Sequence, residues 1–386
     1  MRRQHFPALD GIRGLAIIGV LLRHASYVFP HDSTTRWFLP FFLSGMWGVD
    51  LFFVLSGFLI TGILFSTKAA LNRAQSFYGR RILRIFPIYY LILALVLVGS
   101  QAFPAVRAAS NLQNLADRLS YLFYFQNLIP MWHHGNYPES IIGPFWSLAV
   151  EEQFYFVWPI IVWHLSPKGV LKLSGALACA ALALRMILIP HFGDGIWLYA
   201  FTPTRADGLF VGSALAAVYA AKSQISKRVL AGMVAGATAA LAVVAAHGLN
   251  QLWLTGPYMS TIGISAIAIL CGALIVFCLQ FGGFARLFQM EWLRRFGKYS
   301  YGIYVFHFAI YYAVQHLVLT RLSAALPLRT GWATLYVAVL IGVTYGVAWV
   351  SFKYFEQRFL ALKSHFEPVL VAEQPPATLF GEAQHA

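Results

Sequence analysis

Apolar runs of about 17–24 residues recur along the chain, each long enough to cross the hydrocarbon core of a bilayer. They fall at about 12–29, 45–66, 85–103, 145–164, 170–189, 205–221, 229–247, 258–281, 300–320 and 332–352. None shows the polar–apolar alternation of a barrel strand, so helices are left as the elements that satisfy their own backbone in lipid. The pattern predicts an all-α, polytopic membrane bundle of about ten transmembrane helices. Residues 104–144 fit it least well. There "LSYLFYFQNLIPM" reads as an interfacial or re-entrant segment, or as part of an eleventh span.

Composition changes little and charge changes more. The 386 residues are 59% hydrophobic and 11% charged, too apolar for a soluble domain of this length. A formal charge of +14 raises the possibility of nucleic-acid binding. The distribution of that charge argues against it. With ten spans and both termini cytoplasmic, nineteen Lys and Arg fall in inner segments and five in outer loops. That bias is what orients a membrane protein, so no nucleic-acid partner is expected. The expected location is a bacterial inner (cytoplasmic) membrane, crossed many times. The first run ends in "RHAS" without a small-x-small cleavage pattern and is expected to be retained. Cys179, Cys271 and Cys278 fall inside runs and imply no disulfide framework. Residues 1–363 read as one membrane domain, and the polar, Ala- and Pro-rich stretch 364–386 as a disordered cytoplasmic tail.

Four arginines remain inside the runs: Arg13, Arg23, Arg185 and Arg205. Asp10 suits a helix N-cap. On the helix that follows, Arg13 and His24 lie about 20° from three full turns apart, on one face and roughly 16 Å apart along the axis. Arg13 alone reads as a snorkelling side chain, and His24 alone as a satisfied helix contact. Together they suit a long anionic ligand, with phosphates near Arg13 and a reactive carbonyl near His24.

The stretch "LDGIRGLAIIGVLLRH" resembles the opening signature of the acyltransferase 3 family of membrane O-acyltransferases. Four further blocks match in order: "GVDLFFVLSGFLIT" (48–61), "FYGRRILRIFP" (77–87), "FWSLAVEEQFYFVWP" (145–159) and "GKYSYGIYVFH" (297–307). The resemblance implies transfer of an acyl group, commonly acetyl, from acyl-CoA. The acceptor would be a hydroxyl of an envelope carbohydrate such as an exopolysaccharide or O-antigen, or, in some members, a macrolide. A stand-alone membrane domain is expected, without the extracytoplasmic esterase-like domain that some relatives carry.

"FYGRRILRIFP" reads as a basic cytoplasmic loop in which Arg80 and Arg84 stand one helical turn apart and Arg81 beside them. It is either ordinary positive-inside charge near anionic lipid or a bidentate phosphate site. The resemblance assigns it, with Arg13, to coenzyme A. Asp50 is expected at a depth similar to His24, where it would hold the imidazole's tautomer; pairing with Arg23 or a capping role are the alternatives. Glu151 occupies the family's acidic position, "WSL" plus two residues, and Glu152 is expected to be solvated. Trp146 and Tyr155 are candidate substrate contacts or belt aromatics. Arg205 and Asp207 form an intramembrane pair, structural or substrate-binding. His307, with Tyr301 and Tyr304, lines the same cavity or satisfies helix contacts.

Other motifs fail. His5 and Asp10 share an H-x4-D spacing without companion blocks, and His133, His134 and Glu139 read as solvated loop residues, so no metal is expected. There is no G-x-S-x-G, P-loop or H-E-x-x-H. The expected mechanism uses His24 as general base for direct transfer, with Tyr304 or a backbone amide on the oxyanion and an acyl-histidine as the less favoured variant. Acyl-CoA is a donor substrate, and no tightly bound cofactor is expected. A transporter or flippase of a lipid-linked sugar is the rival reading, but the paired broken helices it favours are not seen.

Overall fold

The computed structural model describes residues 6–25, 44–110, 112, 114–133, 140–193, 195–247, 256–315 and 330–370. Among them there is no strand, and each of the ten apolar windows is occupied by a long helix. These are α1 (Pro7–Ala25), α2 (Trp47–Ser66), α3 (Arg73–Ala102), α4 (Trp146–His164) and α5 (Pro167–Phe192). They continue with α6 (Asp207–Ala220), α7 (Lys227–Ala246), α8 (Ile264–Gln280), α9 (Glu291–Val314) and α10 (Thr330–Ser351). Among the described residues six helical segments are long and apolar enough to cross a membrane: α2, α3, α5, α7, α8 with the π-turn that precedes it, and α10 with its continuation. The helices outside that set include α1, α4 and α9, which carry Arg13, Glu151 and Arg294.

Relative directions follow from the contacts. Gly11 lies against Phe288, Gly14 against Leu293 and His24 against His307, so α1 and α9 run parallel. Asp50 meets Arg205 and Thr61 meets Ser213, so α2 and α6 are parallel as well. Arg73 lies against Trp163 and Arg81 against Tyr155, which makes α3 antiparallel to α4. An alternating ten-span chain requires these same three relations.

Glycines bring α1 and α9 into backbone contact. A Cβ on Gly297 would lie 1.8 Å from Asp10 O, and one on Gly14 2.0 Å from Leu293 O. Backbone cannot yield as a side-chain end does, so Gly297→Ala must spread the two helices. We expect a loss of about 1–3 kcal/mol or more, read as a clear fall in melting temperature in detergent. Gly236→Ala, where nothing stands within 4 Å, should leave it unchanged.

Three expectations need correction. The basic stretch at 77–87 is not a loop: α3 begins at Arg73, a dozen residues before its apolar window, and continues through Pro87. Nothing between Arg73 and Phe86 breaks a helix, and proline is tolerated inside membrane helices when neighbours resatisfy the backbone. Within 104–144 the described helices reach at most 8 residues, too short for an eleventh span. The segment packs inward instead. Gln126 Nε2 donates to Phe145 O (2.8 Å), and Asn127 Nδ2 to Ala200 O (3.1 Å), with both side chains fully buried. Finally, residues 364–370 are not free of the bundle. Val369 N donates to Asn72 Oδ1 (2.8 Å), Asn72 Nδ2 donates to Glu367 O (2.9 Å), and the Phe366 ring lies against Gly79. Residues 371–386 of the expected tail, and His5, His134 and Glu139, lie outside the described residues.

Candidate active site

The first turns of α3 stand beside α1, α9 and the segment after α10, and together they enclose a chamber of about 1280 Å³. Arg13, Arg80, Arg81 and Arg84 line it, as the sequence predicts for a phosphate site. The sequence reading missed Arg294, Arg295, Lys298 and Lys363, counting them only as inner charge; the structure adds them to the same wall. The i, i+4 spacing of Arg294 and Lys298 on "EWLRRFGK" was the available signal for α9. Among the described residues two acids, Asp10 and Glu291, line the chamber. Asp10 holds Arg13 at 2.5 Å, while Glu291 pairs with Arg295 on the exposed surface, where such a pair contributes little. The Nε atoms of Arg81 and Arg294 are buried without a hydrogen-bond partner among the described residues.

A narrower bore of about 170 Å³ leads on from the chamber and shares Arg13, Ile60, Ile63, Arg81 and Arg84 with it. Ser56, Ser147, Glu151, Glu152, Tyr155 and Tyr304 line it further in. Tyr155 OH donates to Ser56 Oγ (2.9 Å), and Ser56 Oγ donates in turn to Glu151 Oε1. Arg81 lies over the Tyr155 ring at 3.9 Å. Glu151 thus ends a hydroxyl relay inside the bore, and Glu152, expected in solvent, faces the same space. Outside the spans, Lys68 Nζ donates to Val162 O and Leu165 O (2.7 Å) and closes the end of α4. Burial, and then Arg73, lower its pKa.

The bore ends at Tyr304. Its hydroxyl donates to Pro144 O (2.7 Å) and meets Ser147 Oγ at 2.5 Å. That hydrogen is committed to a backbone carbonyl, so the expected oxyanion role for Tyr304 does not fit this arrangement. One turn further along α9, His307 Nδ1 lies 2.6 Å from Tyr304 O, and its Nε2 lies 3.2 Å from His24 Nδ1. His24 Nδ1 is also 3.0 Å from Val20 O. These contacts select a tautomer. His307 donates from Nδ1 to its backbone carbonyl, His24 donates from Nδ1 towards Val20 O and His307 Nε2, and the His24 lone pair falls on Nε2. Neither imidazole lines the bore; the Tyr304 ring, 5.5 Å from that of His307, stands between.

Asp50 is placed elsewhere than expected. Its Oδ1 is 2.6 Å from Arg205 Nη1, while His24 is held by His307 and Val20 O. Asp207 Oδ2 is 2.8 Å from Arg185 Nη2, which also donates to Ser265 Oγ (2.5 Å). Arg205 lies 3.9 Å from Asp207 and sits over the rings of Tyr199 and Phe53 at 4.7 and 5.2 Å. All four charged side chains are at most 2% exposed, and none lines the chamber or bore. Two cations and two anions neutralise one another there, which is the structural alternative for Arg205 and Asp207. Arg185 is the member that the sequence left unassigned. Trp146 is buried against Phe53 and Tyr199 (6.2 and 5.1 Å), packing on this cluster, and is not a belt residue. Tyr155 is buried as well and lines the bore.

A family model described as an acyltransferase domain matches residues 6–352. The chain is similar to a peptidoglycan O-acetyltransferase of Listeria monocytogenes, at 29% identity over 92% of the chain and 56% of the relative. It is also 28% identical to an O-acetyltransferase of Staphylococcus aureus, over 80% of the chain and 51% of the relative. A putative peptidoglycan O-acetyltransferase of Bacillus subtilis is 30% identical over 80% of the chain and 49% of the relative. The chain thus spans about half the length of the curated relatives it matches. No solved structure matches it.

Proposed function

The chain belongs to this acyltransferase family, and on that premise we propose that it transfers an acetyl group from acetyl-CoA to a hydroxyl of a cell-envelope glycan. Peptidoglycan is the acceptor to try first, since the Listeria relative is a peptidoglycan O-acetyltransferase and the Bacillus one a putative peptidoglycan O-acetyltransferase. The proposed setting is a bacterial inner membrane crossed ten times, with both termini and the basic chamber on the cytoplasmic side.

One observation carries the reading, and it is the order of residues along α9. Arg294 and Lys298 line the chamber, Tyr304 closes the bore, and His307 touches His24. Donor binding, the acyl path and the base then follow one another along a single rigid element. The chamber's arginines hold the diphosphate of the donor bidentately, and the pantetheine arm enters the bore towards Tyr304. The acceptor hydroxyl approaches His24 from the side away from the chamber. His24 Nε2 removes its proton while the hydroxyl oxygen bonds to the thioester carbon; the C–S bond breaks and the imidazolium returns the proton to the thiolate sulfur. For carbon and oxygen to meet, the Tyr304 side chain turns away from Pro144. Glu151 holds the bore's hydroxyl relay in register.

The test is acetyl transfer by purified protein in nanodiscs, read as coenzyme A release that depends on added glycan. Release without glycan dependence, or none in folded protein, would sink the reading. Arg81→Ala combined with Arg84→Ala is expected to raise KM for acetyl-CoA by about 10- to 100-fold, since each removes a charge-assisted phosphate contact. Glycan KM should barely move, and an equal rise in both constants would count against a donor role for these arginines.

A further inference from the structure

The donor reading above supplies the starting point. The chamber's cations divide by what they line. Arg13, Arg81 and Arg84 line chamber and bore alike, whereas Arg80, Arg294, Arg295, Lys298 and Lys363 line the chamber alone. A diphosphate joined to a pantetheine arm must sit where that arm enters the bore, which occupies the first set. Coenzyme A carries another phosphate, on the ribose 3′ oxygen, with a charge near −2 at neutral pH by analogy with other phosphomonoesters. It lies on the nucleotide, away from the arm, and requires cations of its own.

The wall beside the second set is aromatic. Tyr299 packs on Tyr345 and Phe352 (5.5 and 5.2 Å), and Tyr345, Trp349 and Phe352 all line the chamber. Such a surface suits a purine ring. Lys298 Nζ lies 5.4 Å from the centre of the Tyr299 ring and 5.2 Å from that of Phe352, which fixes the ammonium at the edge of this wall. Arg294 Nε is buried without a hydrogen-bond partner among the described residues, a desolvated donor that an anion would satisfy. Arg295 is excluded from the set because it is engaged with Glu291 at the surface.

We infer that Arg294, Lys298 and Lys363 seat the ribose 3′-phosphate of the donor, with the adenine against Tyr345 and Trp349, so that the chain distinguishes coenzyme A from dephospho-coenzyme A. Residues more than 200 positions beyond the basic segment of α3 thereby take part in recognising the donor.

Titration calorimetry in neutral phosphatidylcholine nanodiscs, with coenzyme A and dephospho-coenzyme A as probes, tests the seat. Wild type should bind coenzyme A about 10- to 100-fold more tightly than the dephospho form. Lys298→Gln with Lys363→Gln should bring the two within about threefold, by weakening coenzyme A alone. Equal affinities in wild type, or undiminished discrimination in the double variant, would overturn the seat while leaving the donor reading standing. Binding of neither probe by folded wild type would remove the donor reading itself. Lys363→Gln alone, on the segment after α10, is the second variant should the double one fail to fold; it is expected to narrow the ratio severalfold, and an unchanged ratio counts against the seat.

Discussion

His24→Ala is expected to lower acetyl transfer by about 10²- to 10⁴-fold, the range that a positioned general base supplies, while coenzyme A affinity stays within about twofold. The separation of the two effects follows from the geometry. His24 lies beyond Tyr304 and lines neither the chamber nor the bore, so truncating it leaves the cations around the donor untouched. His307→Gln should fall between wild type and His24→Ala. A glutamine can still offer an acceptor to His24 Nδ1–H, but it loses the ring contact at 4.8 Å that holds the imidazole. Coenzyme A release measured with glycan, beside calorimetric donor binding, checks both. Full activity in folded His24→Ala would remove the base from the mechanism, and lost donor binding would move His24 to the donor site.

The second large effect is on folding. Asp50→Leu leaves the Arg205 guanidinium fully buried with Asp207 3.9 Å away as its remaining carboxylate. Removing one partner of a buried ion pair typically costs about 3–5 kcal/mol, most of it the stranded charge. We expect little monodisperse protein from Asp50→Leu and substantial recovery from Asp50→Leu with Arg205→Met, because replacing both partners by apolar groups is often neutral. Detergent melting curves measure the first effect, and acetyl transfer by the double variant measures something sharper. A folded, active double variant would fix Asp50 as a structural residue. A folded, inactive one would return it to the chemistry, where the sequence reading had placed it.

That misplacement shows what a sequence can carry. Helix positions were legible because an apolar run of about 20 residues has few other uses, and the Arg13–His24 relation because both residues ride on one helix with a fixed rise. Depth alone put Asp50 beside His24. A helix's rotation about its own axis is set by packing, and the partner that Asp50 turns towards is Arg205, just before α6 and 155 residues later. The same limit hid Arg185 and the cations of α9. The start of α3 was hidden for another reason: Arg73, Arg80, Arg81 and Arg84 depress hydropathy where the chain remains helical. An apolarity criterion stops at the edge of a site whose chemistry is charged.

The close parallel pairing of α1 with α9 also bears on how the protein is made. Charged residues oppose a helix's transfer from the translocon into lipid, by about 2.5–3.5 kcal/mol at its centre and less towards its ends, and α1 carries Asp10 and Arg13 towards one end and Arg23 at the other. Its backbone partner emerges from the ribosome only after some 270 further residues. Until then α1 has no Gly297 to receive its carbonyl and no His307 to meet His24. We therefore expect the first helix to reach its final packing only near the end of synthesis, and chains cut short before α9 to be less stable in the membrane.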